Sequence, residues 1–120
     1  MLDELLELRS HFLLIAVRRL AEATRDACAA ASVATADVGL FVFHQANTRI
    51  LAALAERLEI EPERVVEAIG PLGNTSAASV PLALLAARRD GRLESGMRVV
   101  LAAAGSGFTW GATVVEWGRA

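Results

Sequence analysis

Apolar positions between residues 5 and 23 recur at helical spacing, with Leu5, Leu8, Phe12, Ile15, Leu20 and Ala23 separated by arginines and glutamates. The pattern predicts one long amphipathic helix from about Leu2 to Ala31. Ser32 to Asp37 reads as a loop, and Val38 to Phe43 (VGLFVF) as a short strand, apolar without interruption and therefore covered on both faces. A second helix is expected from about Ala46 to Leu58, with Ile50, Leu51, Leu54 and Leu58 as its buried stripe, and Pro62 opens a shorter one reaching about Ile69. Gly70, Pro71 and Gly73 interrupt the pattern. The segment after them, apolar nearly all round until Arg88, Arg89, Asp90 and Gly91, reads as a helix buried on more than one side that starts near Ser79, because Pro81 is tolerated only in a first turn. Met97 to Ala103 and Ala112 to Trp117 are two strands joined by the glycine-rich stretch Gly105 to Gly111, close enough for an antiparallel pair.

At 120 residues the chain is one domain or part of one, and 54% hydrophobic content excludes a disordered segment. Only 22% of residues are charged, which is little cover for the surface of a domain this small and points to apolar surface meeting a partner. The net charge of -2 gives no footprint for nucleic acid or an anionic membrane. The longest apolar runs, Phe12 to Val17 and Val80 to Ala87, are too short to span a bilayer. Asp3, Glu4 and Glu7 stand where a secretory signal carries positive charge, so no targeting peptide is read and a cytoplasmic location is expected. The single cysteine, Cys28, cannot form an internal disulfide, and with His11 and His44 it has no zinc-ligand spacing; no metal is expected.

Two polar islands stand where apolar segments end: HQAN at 44 to 47 and GNTSAAS at 73 to 79. A histidine ring N–H and an asparagine amide N–H aimed at one oxygen would stabilise an enolate or a tetrahedral oxyanion. Taken singly, His44 reads equally as a satisfied structural residue, Asn74 as a turn or cap, and Arg49 as a solvated helix residue. GSGFTWG resembles a phosphate loop in composition, but it leads into a strand and not a helix. Cys28 lies among alanines and reads as a packed small hydrophobe.

FHQANTRI (43 to 50), GNTSAASVPLAL (73 to 84), the DGR of 90 to 92 and GSGFTWGA (105 to 112) together resemble the C-terminal part of the β-ketoacyl-acyl-carrier-protein synthase III family, over about residues 11 to 117 in order. The resemblance implies an α/β fold, the C-terminal half of a thiolase-like architecture with a mixed sheet flanked by helices, as one domain over residues 1–120. It implies an acyltransferase of fatty acid or polyketide synthesis that condenses an acyl-CoA primer with malonyl carrier protein, without a further cofactor. It makes His44 and Asn74 the catalytic pair and the Ser106 backbone N–H an oxyanion-hole donor. Asn47 and Arg49 would face the pantetheine arm and an acidic carrier protein. At Ala104 the family often has an aromatic residue, so the local shape of the site departs from the pattern. No nucleophilic cysteine accompanies the pair, so this chain alone is expected to be inactive and to pair with a cysteine-bearing N-terminal half as a homo- or hetero-oligomer. The alternative is a non-catalytic module that keeps the motifs and uses its apolar face for assembly.

Overall fold

The computed structural model describes the backbone of residues 2–43, 48–66, 79–105 and 109–118, and side chains of 14–43, 49–66, 80–103 and 110–118. In chain order the elements are α1 (Leu2–Ala30), a 3-10 turn (Thr35–Asp37), β1 (Leu40–Phe43), α2 (Thr48–Leu58), a second 3-10 turn (Pro62–Arg64), α3 (Ser79–Arg89), β2 (Arg98–Gly105) and β3 (Thr109–Glu116). The strands form one mixed sheet in the order β1-β2-β3. β1 runs parallel to β2, with Leu40 opposite Val99 and Phe43 opposite Ala102, and β2 runs antiparallel to β3, with Arg98 opposite Glu116 and Gly105 opposite Thr109. Neighbouring parallel strands need a long crossover. Here it carries α2 and α3.

Strand alternation sorts the side chains onto two faces. Phe41, Phe43, Val100 and Ala102 share one face with Trp110, Ala112 and Val114, and α1 and α2 cover it. Leu40, Val42, Val99, Leu101 and Val115 occupy the other, against Ala83 and Ala87 of α3. All four residues of β1 are buried, as its unbroken apolarity requires. In α2 the buried positions are Ile50, Leu51, Leu54, Ala55 and Leu58, the expected stripe with Ala55 added. Of the stripe expected in α1, Leu20 is buried, Ile15 and Ala23 are not, and Leu5, Leu8 and Phe12 lie outside the residues whose side chains are described. Ala16, Val17, Leu20, Ala21, Thr24 and Cys28 are buried, whereas Leu14 and Ile15 are exposed and Ala23 is half-buried. Small residues on the inner side let the helix lie close to the sheet, and the Thr24 hydroxyl donates to the Leu20 carbonyl at 2.8 Å, so its polar atom is buried without loss.

Each of the three described helices ends in the same 6→1 and 5→2 backbone closure, which requires a residue with positive φ just past the end. After α1, Ser32 takes this position (φ 55°), with Val33 N–H donating to Cys28 O at 2.9 Å and Ser32 N–H to Ala29 O at 3.1 Å. After α2 it is Glu59 (φ 56°), with Ile60 N–H on Ala55 O at 3.0 Å. After α3 it is Gly91 (φ 72°), with Arg92 N–H on Ala87 O at 3.0 Å. Only the last carries the residue that adopts this conformation without strain.

Three boundaries differ from the sequence expectation. β1 begins at Leu40 and not Val38, because Val38 closes a 3-10 turn by donating to Thr35 O at 3.2 Å. The helix expected from Pro62 to Ile69 is, over its described part, a single 3-10 turn followed by extended chain; Val65 bridges Phe41 in parallel and the Val66 N–H donates to Phe41 O at 3.0 Å. The open edge of β1 offers two β-branched valines a ladder, and pairing there overrides a weak helical preference. The hairpin strands are longer than expected, reaching Gly105 and Thr109, because Gly111 sits within the ladder opposite Ala103 and does not belong to the turn.

Candidate functional site

The topology gathers the ends of four segments. β1 and β2 point the same way, so Phe43, which ends β1, lies at the same end of the sheet as the tip of the β2–β3 hairpin at Gly105 and Thr109. Val80, in the first turn of α3, lines a hollow of about 320 Å³ with Leu101, Ala102 and Ala103 of β2 and Gly111, Ala112 and Thr113 of β3, which brings the start of α3 towards that end too. The hollow is apolar and open. Carboxyl ends of parallel strands are where open α/β sheets hold their ligands, since helices begin there and backbone N–H groups are free.

The candidate residues flank these ends in sequence. His44 follows Phe43 and Asn47 precedes Thr48; Asn74 lies in the segment leading to α3; Ser106 follows Gly105. All four fall outside the described residues, as does Ala104 as a side chain. Arg49 is within them. It is exposed in the first turn of α2, where no acidic residue accompanies it and where a cation meets the positive end of the helix dipole. That location costs about 0.3 to 1 kcal/mol in exposed helices, so the arginine does not serve the stability of α2.

Cys28 has the surroundings of a packed small hydrophobe. It is buried in α1 against the face holding Phe41 and Phe43, and burial pushes its thiol pKa up, which suppresses the reactive thiolate. Among the described residues no group of His, Cys, Asp or Glu could hold a metal, no helix is long and apolar enough to cross a membrane, and no buried side-chain polar atom lacks a partner.

The geometry adds a residue that pattern reading did not find. Arg64 reaches back from the second 3-10 turn to the lead-in of β1, donating to the Thr35 carbonyl at 2.9 Å, the Ala36 carbonyl at 3.0 Å and the Val38 carbonyl. Nothing in the sequence marks it, because its partners are backbone oxygens 26 to 29 residues away.

Comparison with known proteins decides which lineage this frame comes from. Residues 28–117 match the family described as 3-oxoacyl-[acyl-carrier-protein (ACP)] synthase III C terminal. The chain belongs to that family. It is 50% identical over 105 residues to β-ketoacyl-[acyl-carrier-protein] synthase III 2 of Streptomyces coelicolor, an alignment covering 88% of this chain and 32% of the relative. Among solved structures, 3-oxoacyl-(acyl carrier protein) synthase III of Pseudomonas aeruginosa PAO1 superposes with a TM-score of 0.89 at 40% identity, covering 92% of this chain and 35% of that one. The synthase III of Thermus thermophilus gives 0.87 at 45% identity, over 90% and 34%. The fold is therefore that of a synthase III C-terminal domain, thiolase-like, with the mixed sheet flanked by helices expected from the motifs. The chain spans about a third of the length of these relatives.

Proposed function

We propose that this chain carries the His/Asn part of a 3-oxoacyl-ACP synthase III, acting in decarboxylative condensation during fatty acid or polyketide synthesis. What supports this reading is the match of residues 28–117 to the synthase III C-terminal family, together with the described segments that border the three motif stretches: β1 ends and the β2–β3 hairpin turns at one end of the sheet, and Val80 at the start of α3 lies over the second half of β2. Chemistry needs the three stretches near one another. A malonyl thioester that loses carbon dioxide becomes an enolate, and its oxygen would accept hydrogen bonds from the His44 ring N–H and the Asn74 side-chain amide. The enolate carbon then attacks the carbonyl of an acyl-cysteine. Negative charge on that oxygen would be met by the Ser106 backbone N–H, and collapse of the tetrahedral adduct expels the thiolate. An asparagine amide and a neutral histidine both donate without a proton changing hands, and each such donor is worth about 2.7 to 4 kcal/mol of barrier.

The nucleophile is supplied from outside residues 1–120, by a cysteine-bearing portion of the same kind of enzyme, in a homo- or hetero-oligomer. Acyl-CoA and malonyl carrier protein are the substrates, no further cofactor takes part, and the cytoplasm is the setting. The roles proposed for Asn47 and Arg49 are contacts with the pantetheine arm and with the acidic carrier, respectively. A second reading, a pairing module without chemistry of its own, is favoured by the open apolar hollow beside α3.

One experiment separates the two. This chain is joined to the complementary two-thirds of the Streptomyces coelicolor relative, and cysteine acylation and malonyl decarboxylation are followed separately. The catalytic reading expects His44→Ala and Asn74→Ala each to reduce decarboxylation about 100-fold or more while acylation changes far less. Unimpaired decarboxylation in both variants would leave only the pairing module.

A further inference from the structure

Arg64 holds the start of β1 from several sides at once. Beyond its bonds to Thr35, Ala36 and Val38, its guanidinium carbon lies 5.7 Å from the centroid of the Phe41 ring. Phe41 in turn stacks on Phe43, with centroids 6.0 Å apart and an interplanar angle of 19°. Both rings are fully buried. The chain on either side of Arg64 joins in: Glu61 pairs with the guanidinium at 3.3 Å, and Val65 and Val66 bridge the backbone of Phe41. Glu61 is mostly exposed, so water screens this pair and it contributes little. The three backbone acceptors matter more: all three oxygens lie about the one Nη2 group, a charged donor that shares its two hydrogens among them.

We infer that Arg64 is a positioning residue for His44. The path is short: guanidinium to Phe41 ring, Phe41 ring to Phe43 ring, and Phe43 covalently to His44. Freeing Arg64 lets the lead-in of β1 and the two rings relax, which moves the end of the strand and the imidazole it delivers. A donor aimed at a developing enolate tolerates displacements of only about 0.5 Å, and a misplacement of about 1 Å can cost roughly 100-fold in rate. The inference rests on the functional reading above, in which His44 serves decarboxylation and not acylation.

The test uses the same joined protein with Arg64→Met, which keeps a flexible apolar stem near Phe41 but has no donors, and Arg64→Lys, which keeps the charge and N–H donors but is one atom shorter and lacks the guanidinium plane beside the Phe41 ring. Expected for Arg64→Met is a fall in kcat for malonyl decarboxylation of about 10- to 100-fold, with KM for the carrier protein and the rate of cysteine acylation unchanged. Arg64→Lys is expected to fall between this and the unsubstituted protein. Full decarboxylation by Arg64→Met overturns the inference alone. Parallel loss of both steps, in step with a lowered melting temperature in both variants, also overturns it, by making Arg64 a residue of the fold only. An unsubstituted protein that acylates but never decarboxylates overturns the functional reading itself, and the inference with it.

Discussion

Ala103 offers the sharpest test of what covers the open side of the sheet. It is exposed on β2, opposite Gly111, and lines the hollow beside Val80 of α3. In the isolated chain a glutamate there would project into water and cost little. If the complementary portion of a synthase III packs onto this face, the same carboxylate is buried without a partner, and an uncompensated buried charge costs about 3 to 5 kcal/mol. At about 1.4 kcal/mol per decade, Ala103→Glu should then weaken pairing by roughly 100- to 4,000-fold. Ala52→Glu is the control, since Ala52 is exposed on α2, away from the hollow. Pairing would be measured by sedimentation of a tagged cysteine-bearing portion titrated with each variant, with helical content checked by circular dichroism. The unpaired chain should also self-associate or bind a hydrophobic dye. Leaving about 300 Å² of apolar surface in water forgoes about 7 kcal/mol, against the roughly 5 to 15 kcal/mol of net stability of a domain. Equal pairing by the two glutamate variants, or a dye-silent monomer at micromolar concentration, would refute the argument that this face is built to be covered.

The helix ends give a prediction of opposite signs at equivalent positions, read as the melting temperature of the paired protein. Ser32→Gly and Glu59→Gly should each stabilise by about 0.5 to 1 kcal/mol, since relief of left-handed strain of about 1 to 2 kcal/mol is partly offset by the greater freedom of glycine in the unfolded chain. Gly91→Ala should destabilise by about 1 kcal/mol. Arg49→Ala should raise KM for the carrier protein, with a larger effect at low salt because exposed charges are screened as salt rises; a KM that is unaltered across the salt range removes Arg49 from the docking surface.

Much of this protein is legible in the order of its residues. The periodicity of α2, the unbroken apolarity of β1, Pro81 in a first turn and Gly91 past the last turn are local signals, each set by what one or two turns of chain can satisfy, and each reappears in the structure. The motifs that assign the family are local too, which is why they could be read without a fold. Tertiary context decided the rest. Ser32 and Glu59 end their helices in a conformation their side chains disfavour, because the closure of the chain beyond them outweighs about 1 kcal/mol of strain. Val65 and Val66 join the edge of β1 in place of a helix, because an unpaired strand edge was waiting 24 residues earlier in the chain, at Phe41. Arg64 gains its meaning from carbonyls that no side-chain pattern advertises. The outward turn of Leu14 and Ile15 has the same origin: a helix face is chosen by the surface it meets, and the sheet of this chain accepts Ala16, Val17, Leu20 and Ala21. Sequence determines which residues are able to make a helix, a strand or a donor. Only packing decides which of two adequate faces is used, because the difference between them lies in contacts with residues far along the chain.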